Sequence, residues 1–178
     1  KMSESLNNLK QISLACHHIG SENAQLLPAF SYYEPPYQFP TFVAILPYLE
    51  EHSVYQKFEN PTSQIWGFER RSRVKTYLNP LDPSRSVSNN PVMSDPLFPV
   101  NLKNVPINEL GLSSYAVNAV FFFESPRLDA VGDGLSNTIW FTEHYAQQCG
   151  SAMFFYDGFL SNRWFYQSAT FAHGYSFG

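Results

Sequence analysis

One group of acidic and amide side chains has the residue types of a cation site. Its members lie in one stretch around a glycine turn: Asp129, Asp133, Asn137 and Glu143. Three of them recur at every fourth position, and side-chain oxygens are the ligands that calcium prefers, although the spacing does not match an EF-hand loop. The pattern is consistent with calcium binding. A tight turn, with left-handed backbone at Asp133-Gly134 and a cap from Asn137, is the simpler interpretation.

The histidines and cysteines form no recognisable catalytic motif. The histidines are His17, His18, His52, His144 and His173. His17 and His18 are adjacent, so on a helix they point about 100° apart and do not readily share one metal. Neither an HExxH nor a G-x-S-x-G sequence occurs. We therefore predict a protein that is not an enzyme and needs no organic cofactor. A hydrolase site joining His144 or His173 to Cys149 or a serine is the remaining alternative.

Aromatic side chains concentrate in segments with the composition of loops. They include Tyr32, Tyr33, Tyr37, Phe39 and Trp66. An exposed ring presents a flat apolar face on which a sugar can stack. The pattern therefore suggests a polysaccharide- or solute-binding module. Packing of these loops onto the rest of the protein is the alternative that requires no ligand.

The two cysteines, Cys16 and Cys149, do not form a metal motif, because no second pair of ligands lies at the spacing of a zinc site. In an oxidising compartment they could pair and close a long loop. Two unpaired buried thiols are the alternative, since the geometry that a disulfide requires is not visible in a sequence.

The composition indicates a globular chain of low charge density. Hydrophobic residues make up 44% of the 178 residues and charged residues only 15%, and the net charge is −4. This balance argues against a nucleic-acid partner, and the basic cluster at 70–75 is too short to change that. A surface with few charges suits lateral packing against other proteins. A large core with polar loops would give the same composition.

The elements that must position these residues begin with a helix. Apolar side chains recur at helical spacing within an arc of about 140°: Leu6, Leu9, Ile12, Cys16 and Ile19. We predict a helix over residues 3–20 that buries this stripe and stops at Gly20. A second helix is expected over TFVAILPYLEEHSVYQKF, with a kink or a break at Pro47.

From Arg73 onward the pattern changes to strands. Candidates are VKTYL, LSSYAVNAVFFF, TIWFTEH, AMFFYDG and NRWFYQSATF. A helix followed by four or five antiparallel strands predicts an α+β fold, with the helix packed on an antiparallel sheet and long loops between the elements. We expect one domain over 1–178, divided into a helix at 1–24, loops and short helices at 25–72, and a β-rich region at 73–178.

Several of these segments resemble a known family. They are LNNLKQISLACHHIGSENAQLLP, ILPYLEEHSVYQKFEN, VKTYLNPLDP, SSYAVNAV and VGDGLSNTIWFTEH, which together cover residues 6–145 in the family's order. The chain is similar to planctomycete proteins with a prepilin-type cleavage and methylation signal and a domain of unknown function that carries a solute-binding-like label. The family pattern C-P-S-D-P has Asn79 at its cysteine position here, so that thiol and any disulfide it forms are absent.

The resemblance implies a pilin-like or pseudopilin-like head whose first helix continues a membrane helix outside this chain. It further implies export to the periplasm, the cell surface or the extracellular space. The expected partners are other pilin-like subunits or envelope proteins, and the expected role is assembly or surface display. No activity is established for the family.

Overall fold

The computed structural model describes residues 1–29, 39–59, 72–86, 111–122, 126–132, 134–148, 151–152 and 170–171. Its α-helices are α1 (Met2–Glu22), α2 (Thr41–Ala44) and α3 (His52–Glu59). Short 3-10 helices span Leu46–Leu49, Lys75–Tyr77, Pro83–Ser86 and Leu128–Ala130. The strands are β1 (Tyr115–Asn118), β2 (Phe141–Glu143), β3 (Gln147–Gln148), β4 (Ser151–Ala152) and β5 (Thr170–Phe171).

Helix α1 confirms the predicted opening helix and extends slightly beyond it at both ends. Its buried residues are Ser5, Asn8, Ile12, Ala15, Cys16, Ile19 and Gly20. The predicted apolar stripe is therefore correct from Ile12 onward, but it is wrong for Leu6, whose residue surface is 62% exposed. In the first turns the buried positions belong to the polar Ser5 and Asn8, because both form hydrogen bonds to groups beneath the helix.

Gly20 does not end α1, contrary to the expectation from the sequence, because the helix continues to Glu22. The glycine is needed for close packing instead. A Cβ at this position would lie 2.7 Å from Leu128 Cδ1 and 3.1 Å from Leu27 Cδ2. The missing side chain thus allows the segments around Leu27 and Leu128 to approach the helix.

The second predicted helix is interrupted near Pro47, as expected. Helix α2 ends at Ala44, the 3-10 helix Leu46–Leu49 follows, and α3 begins only after Glu50. Proline has no N–H to donate to the preceding turn, and Glu50 has a left-handed φ of 64°, so the chain changes direction twice here. The side chains of this region form part of the core, including Phe42, Val43, Ile45 and Leu46.

Strand β1 is the central strand of a small mixed sheet with the order β2-β1-β5. It pairs antiparallel with β2, with Tyr115 opposite Glu143 and Val117 opposite Phe141. It pairs parallel with β5, so the expectation of a purely antiparallel sheet is wrong on that side. Parallel strands cannot be joined by a two-residue hairpin, and β5 is distant from β1 in the sequence. Strands β3 and β4 form a separate antiparallel pair.

The strand predicted for VKTYL is wrong, because Lys75–Tyr77 forms a 3-10 helix. Tyr77 is buried, and its hydroxyl donates a hydrogen bond of 2.5 Å to the carbonyl of Phe42. The Tyr77 carbonyl accepts a hydrogen bond of 2.7 Å from the N–H of Ser114. These contacts to distant segments override the β preference of the local sequence.

The described residues thus form an α+β structure in which α1 contacts β2 and the 3-10 helices Leu46–Leu49 and Lys75–Tyr77. No helix in the described part of the chain combines the length and apolar character required to span a bilayer. Most of the AMFFYDG and NRWFYQSATF segments lies outside the described residues. The division of the chain at 24 and 72 stays a prediction.

Candidate functional site

The most highly connected polar group in the described residues is the buried carboxylate of Asp82, which is 5% exposed. Its Oδ1 accepts hydrogen bonds from the N–H and the hydroxyl of Ser84, at 2.8 and 2.7 Å. Its Oδ2 accepts hydrogen bonds from the hydroxyl of Ser114 at 2.7 Å and from the N–H of Ala146 at 2.8 Å. The side chain of Asp82 therefore joins the NPLDP segment to two distant parts of the chain. One is Ser114 in the SSY motif, and the other is Ala146, which follows the TEH sequence.

The environment of Asp82 favours its charged form. Burial alone would raise the pKa of this carboxyl, but the hydrogen bonds from Ser84, Ser114 and the N–H of Ala146 outweigh burial and lower the pKa. Asp82 is therefore a carboxylate at neutral pH, with its lone pairs used to hold the structure together.

We expect the stabilisation that Asp82 provides to be present at neutral pH and lost in acid. The pKa is lower in the folded state than its ordinary value of about 3.9, so stability is retained above that value and falls as the pH passes through the folded-state pKa. Urea unfolding of the wild type and of Asp82→Asn should give free energies that differ most at neutral pH and converge as the pH falls below the ordinary pKa of an aspartate. A difference that is constant with pH would contradict this assignment.

His144 lies beside Asp82 and Ser114, so the three residue types of a hydrolase triad meet here. The hydrogen bonds are not those of a triad, however, because the Ser114 hydroxyl donates to Asp82 and not to the imidazole. His144 Nδ1 lies 2.7 Å from the carbonyl of Tyr145, and its buried Nε2 has no partner among the described residues. Burial lowers the pKa of His144. Within this cluster no base activates the serine.

The hydrolase alternative with Cys149 or His173 lies outside the described residues and stays a prediction. Cys149 lies outside the described residues, so the possible disulfide between Cys16 and Cys149 stays a prediction. Cys16 is a fully buried, free thiol in the described part of the chain, and burial raises its pKa well above the usual range. A thiol in this environment is unreactive.

A second polar cluster ties α1 to the sheet. The hydroxyl of Tyr115 lies 3.1 Å from Ser5 Oγ and accepts a hydrogen bond of 3.3 Å from Asn8 Nδ2. Asn8 also donates to the carbonyl of Leu78, and Ser5 donates to the carboxylate of Glu143. Sequence periodicity missed this cluster, because it identifies apolar positions and not polar residues that share buried partners.

The acidic group predicted to bind calcium is only partly within the described residues. Glu143 accepts a hydrogen bond from Ser5, and Asp129 forms a solvent-exposed ion pair of 2.7 Å with Arg127. Among the described residues, no three histidine, cysteine or acidic side chains are close enough to hold a metal. Asp133 lies outside them, so the calcium site stays a prediction.

The turn interpretation of the same segment has local support. Gly134 has a φ of 82°, the left-handed conformation that a glycine supplies in a tight turn. The N–H of Asn137 donates to the carbonyl of Gly134 at 3.0 Å, and the hydroxyl of Thr138 donates to the same carbonyl at 3.2 Å.

Most of the aromatic residues that could bind sugars are not among the described residues. Tyr32, Tyr33, Tyr37 and Trp66 lie outside the described residues, and their role stays a prediction. Phe39 is described and is half-buried. It packs edge-to-face against Tyr55 and Phe58, with ring centroids 5.6 and 6.2 Å apart, so this ring packs onto the structure.

A groove between α1 and the segment leading into β2 was not predicted from the sequence. It has a volume of about 380 Å³. The wall from α1 consists of Leu9, Lys10, Ser13 and His17. The opposite wall consists of Leu135, Thr138, Ile139, Trp140 and Phe141. On a helix, positions 9, 10, 13 and 17 lie on one side, which is the signal that could have indicated this surface.

Trp140 is the largest side chain of the groove and is only 7% exposed. Its ring stacks on His17, with centroids 4.8 Å apart, and on Phe121, with centroids 5.4 Å apart. The indole Nε1 is buried and has no acceptor among the described residues. His17 is partly buried and thus lies at the edge of the core.

The fold and these clusters define an α+β protein whose N-terminal helix is fixed to a small mixed sheet by buried polar side chains. The chain belongs to the family described as "Protein of unknown function (DUF1559)", with the label SBP_bac_10, whose model matches residues 3–168. This match confirms the domain of unknown function, with its solute-binding-like label, that the motifs indicated. No curated protein and no solved structure matches the chain.

Proposed function

We propose that this chain is a non-catalytic, pilin-like or pseudopilin-like protein of the cell envelope that acts in assembly or surface display. In this proposal the protein is exported, and an N-terminal membrane helix preceded by a prepilin-type signal continues α1. Its partners are other pilin-like subunits or envelope proteins. We infer the prepilin-type signal and the export from the resemblance of the motifs to the planctomycete family.

The observation that carries the proposal is the exposed side of α1. One face of the helix is buried, yet Met2 and Leu6 expose large apolar side chains elsewhere on it. Met2 and Leu6 are four residues apart and therefore adjacent on the helix surface. Apolar side chains grouped on a surface mark sites of contact with other proteins. The low fraction of charged residues, 15%, agrees with lateral packing.

Site-specific photocrosslinking in the native host tests this proposal. A photoreactive amino acid at Leu6 of the full-length protein should give crosslinks to pilin-like subunits, identified by mass spectrometry. The same amino acid at the exposed Gln11, on a different side of α1, is the matched control and should give few or none.

Equal crosslinking from both positions, or none from Leu6, would contradict assembly through this side of the helix. A second measurement addresses export separately. Mass spectrometry of the mature N-terminus should show cleavage and methylation at a prepilin-type site, and an unprocessed N-terminus would overturn the pilin-like assignment.

A further inference from the structure

The groove beside α1 has the dimensions of a small-molecule site. Its volume of about 380 Å³ falls within the range of about 300–1,000 Å³ that is typical of ligand pockets. Both walls come from defined parts of the fold, the helix on one side and the residues entering β2 on the other. The stacking of His17 on Trp140 holds the two walls together at a centroid distance of 4.8 Å.

The groove carries positive charge in a chain that is negative overall. Lys10 lines it, no carboxylate is among its described lining residues, and the chain has a net charge of −4. Lys10 forms no ion pair with any residue that the structure describes. An ammonium without a counter-ion at the edge of a concave apolar surface favours an anionic ligand.

Part of the surface of the groove is apolar, beside the polar side chains of Ser13, His17 and Thr138. Ile139 is 65% exposed although it lies directly before the buried Trp140, and Leu135 is also exposed. Leu9 and Phe141 line the groove as partly buried side chains. This combination suits a ligand with a flat or elongated apolar body, whose burial would remove Ile139 from water.

We propose that this groove binds a small organic carboxylate with an apolar, preferably aromatic, body. The carboxylate contacts the Lys10 ammonium at the rim, and the apolar body lies against Ile139 and Trp140. The proposal goes beyond the assembly role, because it concerns a ligand of the groove and does not depend on export or on contact with other subunits.

The probe for this site is 2-naphthoate, titrated into the ¹⁵N-labelled protein and followed by two-dimensional NMR. The indole N–H signal of Trp140, assigned with Trp140→Phe, should shift together with backbone signals of α1 and β2. Lys10→Gln should weaken binding about fivefold, and the neutral isostere 2-naphthamide should bind more weakly by a similar factor. Lys75→Gln, which removes an exposed cation from another element, is the matched control and should leave the affinity unchanged.

Each of three results would overturn the proposal: equal affinity for the acid and the amide, unchanged affinity in Lys10→Gln, or shifts confined to residues outside the groove. Because Lys10 is exposed, its substitution should preserve the NMR spectrum of the free protein. Misfolding of the variant is therefore visible before the titration begins. A failure here would leave the crosslinking experiment at Leu6 unaffected, so the two proposals fail independently.

Discussion

Replacing Asp82 by alanine should lower the free energy of unfolding by about 3 kcal/mol, the largest effect expected for a polar residue in the described part of the chain. The substitution removes the acceptor of four hydrogen bonds. The hydroxyl of the buried Ser114 and the N–H of the buried Ala146 would lose the partner that satisfies them. A buried donor without an acceptor costs about 1–3 kcal/mol, and partial entry of water limits the sum. Chemical denaturation followed by circular dichroism measures this change.

Asp129→Ala is the matched control for this experiment. It also removes an aspartate that is hydrogen-bonded, but Asp129 and its partner Arg127 are exposed to solvent. Exposed ion pairs contribute little, so the stability of this variant should remain close to that of the wild type. If Asp82→Ala were as stable as Asp129→Ala, Asp82 would not be the central tie that the hydrogen bonds indicate.

Ile12→Ala should lower the free energy of unfolding by about 3 kcal/mol, because Ile12 is completely buried at the centre of the inner face of α1. The substitution removes apolar contacts and leaves a cavity between the helix and the structure beneath it. Urea denaturation, with the slope of the transition compared between variants, separates this loss of stability from a change in the unfolded state.

Leu6→Ala removes a similar number of carbon atoms from the same helix, but it should change stability by no more than about 0.5 kcal/mol, since Leu6 is mostly exposed. If both substitutions lowered the free energy of unfolding equally, Leu6 would be as buried as Ile12. That result would support the apolar stripe predicted from the sequence and contradict the observed orientation of α1. The Leu6 variant also bears on the proposed assembly role, because under that proposal it should weaken contacts with other subunits without unfolding the protein.

The comparison of Leu6 with Ile12 shows which part of the buried face of α1 can be predicted from sequence periodicity. The spacing of apolar residues correctly predicted α1, its position and the burial of its second half. It misplaced the first turns because burial there is decided by polar bonds from Ser5 and Asn8 to Tyr115, a residue more than a hundred positions away. No local pattern contains that information.

Contacts with distant residues also explain why the strand predicted for VKTYL is not present. The sequence VKTYL has the composition of a strand, but the buried ring of Tyr77 and its bond to Phe42 hold it as a 3-10 helix. Strands β1 and β2 were predicted because their β-forming residues occur in continuous runs. The parallel pairing of β5 depends on the path of the intervening chain, which composition does not determine.

The residues of the candidate site also divide into those with distant partners, which the sequence did not reveal, and a local turn, which it did. Asp82 was visible only as part of a motif, because its partners Ser114 and Ala146 are separated from it by 32 and 64 positions. The groove was missed because His17 and Trp140 meet only when helix and sheet come together. The local turn at Gly134 was predictable, since its conformation is set by neighbouring residues.

The long sequence separation of these polar ties has a consequence for biogenesis. Helix α1 is synthesised before the sheet, and Ser5 must wait for Glu143, which follows 138 positions later, before its hydrogen bond can form. Closing such a long loop is entropically costly and slow, so α1 gains this anchor only after the residues of the sheet have been synthesised.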